Sequence, residues 1–140
     1  MKIALCISGQ PRFYDICFSS IKKHIIDKYN CDVFIHSWKS KDYSLLAGHS
    51  YTKNSKKLSS SDINLYDNLI KLYNPKKILL EDEIDFDESK KEFYSNKEFT
   101  QVFQFGACYS MFYSIQQSNK LKQEYEKENN FTYDIVIRSR

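Results

Sequence analysis

The stretch that most constrains the fold is the first, Lys2-Ile3-Ala4-Leu5-Cys6-Ile7-Ser8-Gly9-Gln10-Pro11-Arg12. A short apolar run without alternation predicts a strand buried on both faces. The polar residues from Ser8 to Arg12 break that strand as a turn, and an amphipathic helix follows. A strand, a tight polar turn carrying a cation and a helix start are the parts from which α/β proteins build anion and nucleotide sites. The turn has neither the phosphate-loop spacing of Gly and Gly-Lys-Ser/Thr nor the three-glycine dinucleotide pattern. The signal is therefore one of architecture.

The rest of the chain repeats the alternation of strand and helix. Cys17, Phe18, Ile21, Ile25 and Tyr29 recur at helical spacing, with Lys22, Lys23 and Asp27 on the other side, which predicts a helix over 13–29 that stops at Asn30. Cys31 to Trp38 reads as a second buried strand, so the opening is a βαβ unit with parallel strands. Residues 39–61 form a long polar stretch, either a functional lid or disordered. Asp62 is placed to cap a helix through Tyr73, which Asn74-Pro75 ends. Lys77 to Glu81 is a third strand, and the acidic segment 81–92 reads as a solvated loop because it lacks the glycine and closing Glu of a calcium loop. A long helix over 99–129 follows, with Phe105, Cys108, Tyr109, Phe112 and Ile115 as its apolar stripe. Tyr133 to Arg140 is a fourth strand. The expectation is an α/β fold: one domain over 1–140, with an open, mainly parallel sheet of about four strands and flanking helices, Rossmann-like in type. A buried strand ending in Arg-Ser-Arg further suggests that the domain is truncated at its C-terminus.

Composition excludes several classes. Aromatics make up 16% of the chain, too many for a disordered tail. The formal charge is +3, with the lysines scattered, which argues against a nucleic-acid surface. The four cysteines form no CxxC pair and no ligand spacing with histidine, so they read as small core residues in a reducing compartment. There is no signal peptide and no transmembrane run, and the expected location is cytoplasmic.

In an open parallel sheet, ligands bind beyond the carboxyl ends of the strands, where strand order reverses. The first strand brings Ser8, Gly9, Gln10 and Arg12 to that edge, the second His36, Ser37 and Trp38, and the fourth Arg138 and Arg140. Arginines pair bidentately with diphosphate oxygens, and Trp38 offers a ring against a base or sugar. The long helix would add Gln104, near Gln101 and Ser110, at the same rim. Each residue also has a plainer role open to it. Arg12 can be a surface cation, His36 a satisfied half-buried histidine, and Trp38 a lid on the core. Their shared location favours a phosphorylated ligand carrying a flat ring.

Five segments together resemble the nucleotide-sugar glycosyltransferase-like proteins of the GT-A type found in surface- and capsular-polysaccharide gene sets. They are Ser8 to Arg12, Asp32 to Trp38, Tyr73 to Lys77, Ser110 to Ile115 and Tyr133 to Arg140. The resemblance implies the N-terminal, donor-side half of such an enzyme. Its substrates would be a nucleotide-diphosphate sugar and a glycan or lipid-linked acceptor. It further implies a divalent cation, Mn or Mg, whose Asp ligand in that family follows the Arg-x-Arg strand end and is not present in this chain. The donor-side residues carried over are Ser8 to Arg12, His36, Trp38, Arg138 and Arg140. The alternative expectation is a non-catalytic module that binds a nucleotide, a phosphosugar or a protein partner.

Overall fold

In the computed structural model, the described residues are 1–11, 14–39, 64–82, 84 and 105–139. The first apolar run is strand β1, Ile3–Gly9. Helix α1 follows in three continuous pieces: an α-helical Tyr14–Ile21, a π-helical turn Lys22–Ile26 and a last turn Asp27–Tyr29. Strand β2 is Asp32–Lys39, helix α2 Leu65–Tyr73, strand β3 Lys77–Asp82, helix α3 Phe105–Glu128 and strand β4 Ile135–Ser139. Asn30 and Asn74, in the left-handed conformation, end α1 and α2, as asparagine does at small steric cost. The proposed cap Asp62 lies outside the described residues.

All strand pairs are parallel, in the order β3-β2-β1-β4, so the chain is an α/β fold with an open four-stranded parallel sheet. Strand alternation divides the packing into two layers. On one face Ile3, Leu5, Val33 and Ile35 join Leu65, Leu69 and Tyr73 of α2 and the α1 side chains Phe18, Ile21, Ile25 and Ile26. On the other, Ala4, Cys6, Phe34 and Tyr133 pack with Leu121 and Tyr125 of α3 and with Phe131. Helices thus cover both faces of the sheet, the Rossmann-like doubly wound arrangement. Among the described residues, no helix is long and apolar enough to cross a membrane.

Two helix faces differ from the expectation. In α1 both Ile25 and Ile26 pack on the core, while Cys17 and Tyr29 are exposed. The π-turn inserts a residue and rotates the apolar stripe past its simple 3.6-residue course. In α3 most of the predicted stripe faces outward: Phe112 is 63% exposed and Cys108 and Tyr109 are also exposed, while Ile115 is half-buried. Ser114, Ser118 and Lys122 are buried instead, spaced four apart on one face. The reason is polar satisfaction. Ser114 meets His36, the Ser118 carbonyl accepts from the Cys6 thiol, and Lys122 pairs with Glu126 at 2.7 Å. Of the four cysteines read as core residues, Cys6 and Cys31 are buried, whereas Cys17 and Cys108 are exposed; all four are free thiols.

Candidate functional site

Strand order fixes where a ligand site would lie. From β1 the chain steps outward to β2 and then β3, and only then returns to place β4 on the opposite side of β1. The reversal falls between β1 and β4, and the crevice outside their carboxyl ends is the position where doubly wound sheets bind ligands. Cys6 is the register partner of Arg138 and Ile7 of Ser139, so β1 runs two further residues, Ser8 and Gly9, along this edge. Arg138 is exposed, and its cation lies near enough to Cys6 to favour the thiolate there. Burial, the largest influence, outweighs both this and the stronger pull of the Lys122 ammonium and pushes the Cys6 thiol up to about 11. Gly9 has φ 110°, a value open to glycine and strained for other residues, and it turns the chain sharply off the strand. Its carbonyl accepts the Ser37 hydroxyl at 2.9 Å, which ties the ends of β1 and β2 together.

The structure brings Ser8, Gly9, Gln10 and Arg138 to this crevice, with Ser8 buried and Gly9 and Gln10 half-buried. Arg12, Gln104 and Arg140 lie outside the described residues, as do most of the 39–61 stretch and Gln101. His36 and Trp38 sit on β2, one strand further from the reversal, and His36 is the register partner of Ser8. Both are deep: His36 is 0% exposed and Trp38 2%. The Trp38 ring stacks on Tyr113 of α3 with centroids 5.5 Å apart, and His36 meets Trp38 edge-on at 4.9 Å. In these positions His36 and Trp38 are walls behind the edge.

His36 is the centre of a network that the sequence reading did not assemble. Its Nε2 lies 2.8 Å from Glu81 Oε2, and its Nδ1 lies 2.6 Å from Ser114 Oγ. A carboxylate only accepts, so Nε2 carries the proton and donates to Glu81; Nδ1 then accepts the Ser114 hydroxyl. The Tyr113 hydroxyl donates to the other Glu81 oxygen at 3.4 Å. Three elements, β2, β3 and α3, are thereby pinned at one level. Helix α3 runs antiparallel to the strands, since its last turn meets the start of β3 through Glu128 and Lys77. Residues 105–113, ahead of Ser114, advance the helix start by roughly 13 Å at 1.5 Å per residue. That carries it to the carboxyl edge of the sheet.

Burial holds the His36 pKa below its ordinary 6.5, and the neighbouring Glu81 only partly opposes this. Tyr113 from α3 is a further titratable group packed against the ring. Below pH 6.5 the unfolded chain takes up the His36 proton before the folded chain does. The His36 contribution to stability is therefore complete above pH 6.5 and is lost as pH falls toward the lowered folded value. Urea unfolding at a series of pH values should show this decline, and His36→Gln should flatten that part of the profile. An unchanged slope in the variant would assign the decline to other groups.

Among the described residues, one histidine and one carboxylate meet here. Among the described residues, no group of three or more His, Cys, Asp or Glu side chains is placed to hold a metal ion.

Among known families, the one described as "Domain of unknown function (DUF7796)" matches residues 1–140. No curated protein and no solved structure matches the chain.

Proposed function

For a chain that belongs to this domain-of-unknown-function family, we propose donor binding in a glycosyltransferase-like protein: recognition of a nucleotide-diphosphate sugar at the β1/β4 edge. The observation that carries the reading is the reversal of strand order between β1 and β4, with a positive-φ glycine on one side and an exposed arginine on the other. The Gly9 turn allows a phosphate to approach the backbone without a side chain in the way. The Arg138 guanidinium offers paired N–H donors matched to phosphate oxygens. Ser8 and Gln10 supply further hydrogen-bonding groups beside the same turn. In the full reaction the sugar would pass to a glycan or lipid-linked acceptor. The role proposed for the described residues is to bind and orient the donor, without a metal ligand among them.

Arg138→Ala tests the proposal. A lost charge-assisted contact is worth about 1.5–3 kcal/mol, so affinity for UDP or GDP should fall roughly tenfold to a hundredfold. Because Arg138 is exposed, the melting temperature should stay nearly constant. Unchanged affinity would remove Arg138 from the site, and a large loss of stability would make it a structural residue. Donor hydrolysis or sugar transfer by the protein, against binding alone, separates an enzyme from a binding module.

A further inference from the structure

A buried histidine on β2 and a buried serine on the sheet-facing side of α3 require an explanation. Each has its hydrogen bond, but an apolar pair of similar shape would hold α3 to the sheet equally well or better. Departures from an apolar core tend to mark functional positions. The chain of bonds runs in one direction: Ser114 fixes the His36 tautomer, and His36 Nε2–H fixes one oxygen of Glu81. Tyr113 reaches the other oxygen. Glu81 is where this chain meets solvent, since its side chain is 30% exposed while that of His36 is 0%. Each carboxylate oxygen can accept a second hydrogen bond. The carboxylate is thus held in one orientation at the end of β3, with the Trp38–Tyr113 ring stack beside it. An oriented, partly exposed carboxylate matches the hydroxyls of a sugar, which donate to it, while the buried Trp38 ring lies behind it.

We infer that Glu81 is a ligand-contacting carboxylate that accepts hydrogen bonds from sugar hydroxyls, with His36 and Ser114 as its positioning residues. This inference rests on the donor-binding reading for the nature of the ligand. The sugar is either that of the nucleotide donor or that of the acceptor, and the chemistry at Glu81 is the same. From β3 to β1 is about 10 Å at the usual strand spacing, so the subsite lies along the same carboxyl edge as the proposed phosphate contacts.

The chain has a single tryptophan, so Trp38 emission reports this locus directly. The wild-type protein and Glu81→Gln, which keeps an oxygen for His36 Nε2–H, are titrated with UDP and UDP-glucose, with GDP and GDP-mannose, and with free glucose, galactose and mannose. Thermal melts confirm that the variant is folded, and Ser114→Ala serves as a second variant that leaves Glu81 in place. If the donor's sugar is bound, the wild type prefers a nucleotide sugar over its bare diphosphate by about tenfold with an emission change. Glu81→Gln abolishes the preference and Ser114→Ala reduces it, while affinity for UDP or GDP stays the same. If the acceptor's sugar is bound, only the free sugars change Trp38 emission, and Glu81→Gln abolishes that change. Diphosphate binding with no sugar-dependent effect, or an effect that survives Glu81→Gln, overturns the Glu81 assignment and leaves the donor reading standing. Failure of every nucleotide to bind overturns the donor reading, and the free-sugar titrations then decide Glu81 alone.

Discussion

Replacing Glu126 with Ala is expected to destabilise the protein by about 3–5 kcal/mol, because it strands a buried ammonium group. The side chains of Lys122 and Glu126 are only 9% and 12% exposed and meet at 2.7 Å, one helical turn apart. Burial works against the Glu126 carboxylate, but the Lys122 ammonium and the Tyr133 backbone N–H outweigh it and hold its pKa below the usual carboxylate value. The Tyr133 N–H donates to Glu126 at 2.8 Å, so the same carboxylate anchors the chain just before β4. The single variant deprives both the Lys122 ammonium and the Tyr133 N–H of that carboxylate at once. The double variant Lys122→Met with Glu126→Gln should recover to within about 1 kcal/mol of wild type, since no charge is then buried and the glutamine oxygen still accepts from Tyr133. Urea unfolding of the wild type, Lys122→Met, Glu126→Gln and the double variant gives the coupling energy. A single-variant loss below about 1 kcal/mol would mean that Lys122 reaches water when its partner is removed.

Phe34→Ala should have an effect of the same size, about 3–5 kcal/mol. Phe34 is fully buried at the middle of β2 and packs edge-on against Tyr125 at 5.6 Å and Tyr133 at 5.7 Å. This layer is thin: its buried members are Ala4, Cys6, Phe34 and Tyr133. Neither tyrosine can easily collapse into the vacated volume. The Tyr133 hydroxyl donates to Asp32 at 2.7 Å, and Tyr125 is fixed on α3. A cavity should therefore persist, and its cost adds to the lost transfer energy. The midpoint in urea should fall with the slope unchanged. A loss under about 1.5 kcal/mol would show that α3 settles onto the sheet and fills the space.

These two positions differ in how visible they were beforehand. Phe34 stands in a continuous apolar run, the pattern of a doubly buried strand, and β1 was legible for the same reason; β3 and β4 carry apolar runs too but lie at the sheet edges, with Ile135 and Val136 exposed where a buried strand was expected. The Asn30 and Asn74 stops were legible from local chemistry. The buried face of α3 was not. Periodicity selects the apolar side of a helix, and here Phe112 faces out while Ser114, Ser118 and Lys122 face the sheet. Nothing local distinguishes these polar residues from a solvated face, since the partners that satisfy Ser114 and Glu81 come together through His36 across 78 and 45 residues of chain. The candidate site was half legible. Strand ends named Ser8, Gly9, Gln10 and Arg138, but which strands adjoin depends on the β3-β2-β1-β4 order, a property of the whole sheet. That order sets Arg138 beside β1 and moves Trp38 to the far side, stacked on Tyr113.

The central claim is that a nucleotide diphosphate binds where strand order reverses. A titration of the isotopically labelled protein with UDP and with GDP, followed at each backbone amide, tests it most directly. The account predicts that the largest changes fall on Ser8, Gly9, Gln10, Arg138 and Ser139, with the amino ends of the strands at Lys2, Asp32 and Lys77 unmoved. Saturable changes centred on those amino ends, or no saturable change with either nucleotide, would contradict it.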